Sequence, residues 1–355
     1  MKICFLNHDV KFDTGAGRFC LALLASIKKQ TPDLQYRVFT HATHPELLPR
    51  RWWQAMLVLP KLRKVFGKYD IVHALDGWPY GFLAAVAAYG LGKKLVITAI
   101  GTGAVQPLYQ PLKKILLGWA YRQADVVTAV SGNTRDEIRK VIPSLAIEVI
   151  NHGVDAGVFQ KAGPASAYIR TLQPYILSVG ALKKRKGYFY SIQAFVALAK
   201  ELPRLKYVIV GGGPERPALN KQIEEAGLTN RVVFFESVDE VTLKQLYQNA
   251  ELFILLSQNI NHDIEGFGLV FLEAAAAGLP CVGTKESGSA DAIQDGRTGF
   301  LVPQTDSMAA AKKISEILSD QKLKKSFGEQ ATAFAKTKNW DRAAKEYLRV
   351  YSLLN

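Results

Sequence analysis

The chain lacks several features that would assign it to whole classes of protein. No apolar run approaches the roughly 18 residues that begin to suggest a membrane-spanning helix, which excludes an integral membrane protein. Three scattered cysteines (Cys4, Cys20 and Cys281) have no metal or redox spacing, so we expect a reducing, cytoplasmic compartment without disulfides. The start reads KICFLN, which predicts a strand, so we expect no signal peptide.

Acidic residues are scarce in the first half of the chain. The formal net charge is +14, and residues 1–165 carry 21 Lys and Arg against 11 Asp and Glu, whereas the remainder carries 24 against 20. A basic half indicates an anionic partner, which is a nucleic acid, a membrane surface or an acidic substrate. No nucleic-acid-binding module is recognisable and the densest basic run is rich in Trp, so we expect no nucleic-acid partner.

The order of apolar segments predicts an α/β protein of two domains. Twelve short apolar runs alternate with helix-length segments, as in the βαβ units of a parallel sheet. The predicted strands are 3–6, 36–40, 71–74, 95–99, 126–129, 148–150, 175–179, 207–210, 232–235, 252–255, 281–283 and 299–302. A linker-like stretch, 162–166, separates the two series. We therefore expect domains at 1–165 and 166–336 and a final amphipathic helix at 337–355.

Residues 46–68 combine cations with tryptophan and aliphatic side chains. Such a mixture is typical of helices that lie in a membrane interface, and Pro60 is expected to divide the run into two pieces. The predicted membrane contacts are Arg50, Arg51, Trp52, Trp53, Lys61, Arg63 and Lys64. The alternative is a helix that packs its tryptophans on the sheet and exposes its lysines to solvent.

Glycine loops follow predicted strands in both halves. Gly15 and Gly17 come between the first strand and the first helix, where they either line an acceptor site or form a plain tight turn. In the second half, Gly211–Pro214 follows one strand, and Gly180 opens a loop that carries four consecutive cations, Lys183 to Lys186. Cations at the carboxyl end of a parallel strand are natural partners for a diphosphate.

The stretch from Asp263 to Gly283 carries two carboxylates around a Gly-Phe-Gly turn. Gly268 is expected to begin an apolar helix that ends near Gly278, so Glu265 precedes the helix and Glu273 lies on its second turn. Backbone N–H groups at such a helix start bind anions, and the two carboxylates can accept hydrogen bonds from hydroxyl groups. The alternative is an ordinary helix start with two solvated acids.

These motifs together resemble those of the retaining, nucleotide-sugar-dependent glycosyltransferases of family 4. The matching segments are Val179-Gly180, Lys186-Gly187, Gly211–Pro214, Asn151–Asp155, Glu265–Leu269, Glu273–Pro280 and Thr298–Pro303. The resemblance implies a GT-B fold, with two facing Rossmann-like, doubly wound domains and a C-terminal helix that crosses back to the first. It also implies acceptor binding by the first domain and donor binding by the second.

The resemblance implies roles for single residues. Glu265 would bind the donor sugar, Glu273 the ribose hydroxyls, and Lys186 with Arg185 the diphosphate. The remaining implied donor contacts are Gly180, Gly212, Phe267, Gly268 and Leu269. No metal and no cofactor beyond the nucleotide sugar co-substrate are expected, because cations and a helix start stabilise the leaving group. A metal site at His262 and Asp263 is a weaker hypothesis.

The acceptor side is less well defined by the sequence. His73 either lines the acceptor site or is a buried histidine whose hydrogen bonds are satisfied, and Ser131 is expected to cap a helix. Two positions depart from the family pattern. Ala181 stands where many relatives carry Arg, and Ile100 stands where they often carry a His that reaches the reacting centre.

We expect a transferase that acts on a membrane-associated or polymeric acceptor, as in the assembly of a cell-surface polysaccharide or glycolipid. Two alternatives share the architecture. A nucleotide-sugar epimerase would need acid and base groups that we do not identify. A nucleotide-sugar-binding protein with impaired catalysis would be consistent with Ala181 and Ile100, although Glu265, Glu273 and Lys186 are intact.

Overall fold

The computed structural model describes residues 1–11, 14–48, 54–160 and 163–354. Two compact units form. The first unit comprises Met1–Gly153, Asn261–Phe267 and Trp340–Asn355, and the second comprises Val154–Ile260 and Gly268–Asn339. The division therefore falls at Gly153 rather than at 165, and the loop that carries Glu265 belongs to the first unit.

The first unit contains a six-stranded parallel sheet with helices between its strands. The strand order is β2-β1-β3-β4-β5-β6. Its strands are β1 (Lys2–Leu6), β2 (Gln35–Phe39), β3 (Ile71–Ala74), β4 (Lys94–Ala99), β5 (Val126–Ala129) and β6 (Glu148–Val149). Its helices are α1 (Gly15–Gln30), α2 (Ala55–Phe66), α3 (Phe82–Ala88), α4 (Thr102–Val105), α5 (Pro111–Gln123), α6 (Gly132–Val141) and, from the end of the chain, α16 (Trp340–Leu354). Every residue of β3 is buried, as expected for a parallel sheet covered on both faces.

The second unit repeats this architecture. Its sheet is also parallel, with the order β12-β11-β10-β7-β8-β9. Its strands are β7 (Tyr175–Val179), β8 (Lys206–Val210), β9 (Val232–Phe235), β10 (Leu252–Ile254), β11 (Cys281–Thr284) and β12 (Gly299–Val302). Its helices are α7 (Ala156–Gln160), α8 (Ala167–Leu172), α9 (Tyr188–Ala199), α10 (Arg216–Glu225), α11 (Glu240–Asn249), α12 (Leu269–Ala276), α13 (Ser289–Ala292), α14 (Ser307–Ser319) and α15 (Gln321–Thr337).

The predicted strands are confirmed, each to within one residue at either end. Local chemistry sets several helix boundaries. Thr14 caps α1 by accepting from the Gly17 N–H, so this helix begins three residues earlier than the Arg18 start that the sequence suggests. Ser131 caps α6 as predicted, by accepting from the Thr134 N–H.

Helix α2 corrects the expectation that Pro60 divides residues 46–68. The helix is continuous from Ala55 to Phe66, with Pro60 inside it. An interior proline removes one hydrogen bond and costs about 3 kcal/mol. Burial of Leu62 and Phe66 in the core of the first unit offsets that cost, because each fully buried large apolar side chain contributes about 1.5–3 kcal/mol.

The final helix completes the core of the first unit. The predicted helix at 337–355 begins at Trp340, and its apolar stripe packs against α1 and one face of the sheet. The buried residues on α16 are Ala343, Ala344, Tyr347, Val350 and Tyr351. No helix within the described ranges has both the length and the apolar character that crossing a bilayer requires. All three cysteines are free and buried.

Candidate functional site

In the second unit, two glycine loops pack against each other at the carboxyl ends of β7 and β8. The Leu182 N–H donates to the Gly212 carbonyl at 2.9 Å, and a Cβ at Gly211 would lie 2.1 Å from the Gly180 carbonyl oxygen. Gly180 and Gly211 also have φ values of +144° and +147°, which favour glycine. Both loops therefore need glycine for their backbones to meet.

Lys186 ends the short 3₁₀ turn Lys184–Lys186 beside these loops. Only 9% of Lys186 is exposed, and a Cβ at Gly180 would lie 3.8 Å from its ammonium nitrogen. The loop is further fixed by Tyr188, whose hydroxyl donates to the Gly180 carbonyl at 2.7 Å. Gly180 and Lys186, which the sequence analysis expects at the donor site, therefore lie side by side.

Arg185 lies on the same turn and is half-buried. Its backbone carbonyl accepts from the Gln258 N–H at 2.6 Å, which ties the cationic turn to the segment after β10. Gly187 follows the turn with φ +65°, and a Cβ there would lie 1.7 Å from the Leu256 carbonyl oxygen. The turn that presents Arg185 and Lys186 is thus held from both sides.

Glu273 lies on the second turn of α12, as predicted, and only 6% of it is exposed. Its Oε2 accepts from the Tyr247 hydroxyl at 2.9 Å, a contact from α11 that the sequence did not suggest. Gly268 precedes α12 in the left-handed region, and Gly278 ends it, with the Leu279 N–H donating to the Ala274 carbonyl. The predicted boundaries of this helix are therefore confirmed.

Glu265 lies in the first unit, on the segment Asn261–Phe267, which we call the motif loop. The Ser131 and Thr134 hydroxyls both donate to the Gly266 carbonyl, the latter at 3.2 Å. A Cβ at Gly266 would lie 1.8 Å from the Ile100 carbonyl oxygen. The loop is thus fixed at the carboxyl ends of β4 and β5, and Glu265 itself is 7% exposed.

The two residues considered as a metal site hold the motif loop instead. The Thr102 hydroxyl donates to Asp263 at 2.5 Å, and the His262 ring stacks on Tyr109. Throughout the described part of the chain, no group of three or more His, Cys, Asp or Glu is placed to hold a metal ion.

Phe267, at the end of the motif loop, faces a histidine that the sequence analysis did not single out. The His152 ring stacks on Phe19 at a centroid distance of 4.5 Å and lies 5.2 Å from Phe267 and 5.8 Å from Trp340. Neither ring nitrogen of His152 has a hydrogen-bond partner among the described residues. Burial, with a smaller contribution from the charge of Arg18, outweighs the opposing charge of Glu265 and lowers the pKa of His152 to about 3, so this imidazole is neutral at physiological pH.

His73 does not line an acceptor site, and of its two interpretations the buried histidine is confirmed. The side chain is fully buried, and its nitrogens bond the hydroxyls of Tyr351 and Thr98, each at 2.7 Å. Burial lowers its pKa to about 3. The prediction failed because His73, one residue before the carboxyl end of β3, points into the sheet face that α16 covers.

Gly15 and Gly17 have different surroundings. A Cβ at Gly15 would meet no atom of the described residues within 4 Å, whereas one at Gly17 would lie 2.1 Å from the Lys11 carbonyl oxygen. Gly17 is therefore explained by close packing under the loop after β1. Gly15 is exposed at the first turn of α1, open to a ligand.

Of the predicted membrane contacts, Arg50, Arg51, Trp52 and Trp53 lie outside the described residues. Lys61 and Lys64 are exposed on α2. Arg63 needs a correction: it is half-buried, and its guanidinium donates to the carbonyls of Ala87 and Tyr89 at 3.2 and 2.7 Å, which closes the end of α3. The apolar side of α2 packs on the core, so lipid would meet the cations and Leu57, which is 79% exposed.

The first unit also contains a histidine–carboxylate pair that was not predicted from the sequence. His8 follows β1 and Asp76 follows β3, and His8 Nε2 lies 2.5 Å from Asp76 Oδ2. The two strands are neighbours in the sheet, so the juxtaposition follows from strand order, which the sequence alone did not provide. In the second unit, a contact of Arg216 was likewise not predicted. Its guanidinium carbon lies 3.6 Å from the centroid of the Phe234 ring.

Comparisons with known proteins agree with this architecture. Residues 20–158 match the family described as "Glycosyltransferase Family 4", and residues 163–334 match "Glycosyl transferases group 1". The N-acetyl-alpha-D-glucosaminyl L-malate synthase of Bacillus anthracis is 30% identical over 269 residues, which is 74% of this chain and 68% of that protein.

Two further relatives extend the match. The GDP-mannose-dependent alpha-(1-6)-phosphatidylinositol monomannoside mannosyltransferase of Mycolicibacterium smegmatis is 28% identical over 82% of this chain and 78% of that protein. The Anabaena protein Alr3699/HepE, solved in complex with UDP-glucose, superposes with a TM-score of 0.79 at 21% identity over 99% of each chain. The last comparison supports the fold.

The two parallel sheets, the glycine loops and the two-acid motif define a glycosyltransferase of the GT-B type. Within that class, the chain belongs to the family 4 glycosyltransferases.

Proposed function

We propose that this glycosyltransferase moves a sugar from a nucleotide diphosphate sugar to a hydroxyl acceptor with retention of the anomeric configuration and without a metal ion. The observation that carries the proposal is the buried Lys186 ammonium beside Gly180. A buried cation that faces a glycine-lined backbone is suited to a diphosphate, because no Cβ separates the phosphate oxygens from the loop.

Lys186, with Arg185 beside it, binds the diphosphate and offsets the negative charge that develops on the departing nucleotide. Preorganised cations in a site that excludes water stabilise such charge strongly. The N–H groups of Gly268 and Leu269 at the start of α12, and that of Phe267, add donors for the phosphate and the sugar. These groups together perform the role that a metal ion has in other transferases.

Glu273 binds the ribose hydroxyls, and Glu265 binds the donor sugar. The Tyr247 hydroxyl donates to Glu273 Oε2, which orients the carboxylate. Retention is proposed because the family 4 motifs Glu265–Leu269 and Glu273–Pro280 are intact. A proton NMR spectrum of the product tests retention directly, since the anomeric coupling constant distinguishes the two configurations.

The acceptor binds the first unit. The names of the two relatives above include L-malate and a phosphatidylinositol mannoside, which are anionic hydroxyl compounds. A glycolipid or polysaccharide acceptor at an anionic membrane surface fits the net charge of residues 1–165. We therefore propose a cytoplasmic protein that binds the inner face of the membrane peripherally, in the assembly of cell-surface polysaccharide or glycolipid.

The membrane contact is proposed for a surface that we call the α2/α5 surface. It consists of exposed aliphatic and aromatic side chains with lysines among them: Leu57, Lys61, Lys64, Tyr89, Leu112, Lys114 and Ile115. Tyr89 joins the two helices, because its carbonyl accepts from Arg63 on α2 and its ring lies 5.9 Å from that of Trp119 on α5. Cations with projecting apolar side chains suit an anionic interface.

The test is a thermal-shift screen of nucleoside diphosphates and their sugars without added metal, on the wild type, Lys186→Ala and the control Lys325→Ala, which removes an exposed lysine of α15. A ligand that binds only the folded state raises the melting temperature. We expect one nucleotide to stabilise the wild type and the control but not Lys186→Ala. A shift that survives in Lys186→Ala would contradict the diphosphate role.

The same nucleotide sugar is then incubated with the wild type, and release of the nucleotide is measured. Release separates a working transferase from a nucleotide-sugar-binding protein with impaired catalysis, which Ala181 and Ile100 would otherwise permit. Binding without release over a panel of hydroxyl acceptors would contradict the proposed activity.

A further inference from the structure

The carboxyl edge of the first sheet carries a histidine–carboxylate pair that the proposed function has not used. His8 follows β1 and Asp76 follows β3, and the carboxyl ends of these adjacent parallel strands meet at one edge. His8 Nε2 and Asp76 Oδ2 lie 2.5 Å apart, within the distance of a hydrogen bond.

Asp76 is held rigidly. It is 5% exposed, and its Oδ1 accepts from the Gly77 N–H at 2.7 Å. A Cβ at Gly103 would lie 2.2 Å from Asp76 Oδ2, so the carboxylate fits only because residue 103 is glycine. A buried carboxylate with its position fixed by backbone can hold a histidine in one orientation and one tautomer.

The other nitrogen of His8 is available. The side chain is 40% exposed, and its ring packs at 79° to the Tyr80 ring with the centroids 4.7 Å apart. Nε2 faces Asp76, and Nδ1 makes no hydrogen bond with any described residue. When Nε2–H donates to Asp76, Nδ1 has a lone pair that accepts a hydrogen bond from outside.

The titratable groups that act on His8 or lie beside it are Asp9, Asp76 and Tyr80. Burial by itself lowers the pKa of His8, but the hydrogen bond to Asp76 and the charges of Asp76 and Asp9 outweigh it, so the pKa is raised above 6.5. Tyr80 is neutral, because burial first, and then Asp76 and Asp9, raise its pKa to about 12. His8 is thus a stronger base than an ordinary histidine.

The pair lies close to the motif loop within the first unit. The short helix α4 connects them: Gly103 packs on Asp76, while the Thr102 hydroxyl donates to Asp263 of the motif loop. One residue earlier, a Cβ at Gly101 would lie 3.0 Å from the Gly266 Cα. The pair therefore occupies the same edge as the segment that carries Glu265, on the unit to which we assign the acceptor.

We propose that His8 is a catalytic base that receives the proton of the acceptor hydroxyl, and that Asp76 is the positioning residue that orients its imidazole. The acceptor oxygen forms a bond to the anomeric carbon as the bond from that carbon to the phosphate oxygen breaks. The bonding electrons leave with the nucleoside diphosphate, and the hydroxyl proton goes to His8 Nδ1 and then to solvent. The proton balance is the same for either stereochemical course. The inference rests on the proposed function and adds a proton acceptor to it.

The test measures nucleotide release from the donor, with an alkyl glucoside as the hydroxyl probe and with water alone, between pH 5 and 9. The variants are His8→Gln, Asp76→Asn and the control His44→Gln, whose ring nitrogens already contact Arg37 and Thr43. General bases contribute roughly 10²–10⁴-fold in rate. We expect His8→Gln to lose at least about 10²-fold in kcat, with an unchanged thermal shift by the nucleotide.

The pH profile distinguishes a base from a structural residue. In the wild type and in His44→Gln, activity falls as His8 is protonated at low pH, and His8→Gln lacks this acid limb. In Asp76→Asn the limb moves to lower pH, because burial then dominates the pKa of His8. Wild-type rates in His8→Gln, or an acid limb that persists in it, would overturn the inference.

Failure of the proposed function gives a different result. The wild type would then release no nucleotide with any probe, and the inference would fall with it. If the wild type is active but His8→Gln loses the nucleotide-induced shift, His8 acts through the fold or through donor binding, and the inference is also overturned.

Discussion

The two units have the same sheet architecture but fill the carboxyl edges of their sheets with different chemistry. The second unit uses glycine loops, a buried lysine and a helix start, and it contains no histidine. The first unit contains all six histidines, together with hydroxyl groups that hold the motif loop. The contrast follows from the ligands that we assign: a diphosphate is bound by N–H groups and cations, whereas a hydroxyl needs an acceptor of its proton.

The difference between the two units is clearest in the motif loop and the helix that follows it. Glu265 and Glu273 are eight residues apart in one sequence motif, yet they belong to different units. Glu273 is fixed by Tyr247 of the second unit, whereas the loop on both sides of Glu265 is fixed by Ser131, Thr134 and Thr102 of the first. One motif therefore supplies a residue to each unit.

The largest predicted effect comes from adding a Cβ where two backbones meet. In Gly266→Ala of the first unit, the Cβ would lie 1.8 Å from a carbonyl oxygen, and in Gly187→Ala of the second, 1.7 Å. Overpacking of this kind costs about 1–3 kcal/mol, and Gly187→Ala adds the strain of a left-handed residue, about 1–2 kcal/mol. We expect both variants to lose stability in denaturant unfolding, with Gly187→Ala losing more.

The control for both variants is Gly118→Ala on α5, where the nearest atom to the added Cβ is at an ordinary 3.5 Å. The change in melting temperature that the nucleotide causes, together with turnover, then distinguishes the two substitutions. Gly187→Ala should lose nucleotide binding, because its turn presents Lys186, and Gly266→Ala should lose turnover. Equal stability of all three variants would contradict the close packing.

The next largest effect tests the ribose contact of the second unit. Glu273→Ala should weaken nucleotide binding by about tenfold or more, since hydrogen bonds to a charged group contribute about 1.5–3 kcal/mol. Tyr247→Phe should weaken it less, because it removes only the hydroxyl that orients the carboxylate. Isothermal titration of both variants, with Glu329→Gln on the exposed face of α15 as the control, measures the difference. Unchanged affinity in Glu273→Ala would remove its ribose role.

Lowering the pH should destabilise the first unit more than the second. His73 and His152 have folded pKa values lowered to about 3, mainly by burial, against about 6.5 in the unfolded chain. Between these values the unfolded chain binds protons that the folded chain does not, so the unfolding free energy falls as pH falls below about 6.5, by up to about 1.4 kcal/mol per pH unit for each histidine. His8, with a raised pKa, opposes this trend.

Hydrogen exchange at pH 7.5 and pH 5 measures the result. We expect faster exchange at pH 5, after correction for intrinsic rates, in the first unit and little change in the second. His73→Gln should reduce the difference between the two pH values. Equal loss of protection in both units would be inconsistent with a histidine origin.

The smallest predicted effect concerns the α2/α5 surface. Binding to anionic liposomes should decrease in Leu112→Ser with Ile115→Ser, because this change removes exposed apolar area from the surface. Trp52→Ala with Trp53→Ala, at two membrane contacts predicted from the sequence alone, should also reduce binding. Met308→Ser removes an equally exposed side chain, 69% exposed, from the second unit and should have no effect. Full retention by both double variants in a pelleting assay would contradict the membrane contact.

Much of the fold was predictable from local pattern. The apolar run ILSV before Gly180 and the run VIV before Gly211 predicted strands followed by glycine loops, and both are present. The start of α12 and its end at Gly278 followed from glycine positions alone. Hydrophobic periodicity and the backbone conformations that glycine allows act over a few residues. These predictions therefore needed no knowledge of distant contacts.

Three features could not be decided from the sequence because they depended on distant parts of the chain. His73 at a strand end resembled an acceptor residue until Tyr351 of α16 was found to bond it. Pro60 was predicted to divide residues 46–68, but burial of Leu62 and Phe66 keeps the helix continuous. His8 was overlooked because its partner Asp76 lies 68 residues further along the chain.

The sequence by itself determined the strands, the glycine loops and the family, because short-range steric and hydrogen-bonding preferences are written in consecutive residues. Only the tertiary structure decided which unit each acid of the Glu265–Glu273 motif belongs to and which histidine is buried and which exposed. Strand order and packing bring together residues far apart in the chain, and burial and charge around each side chain then set whether it can meet a ligand.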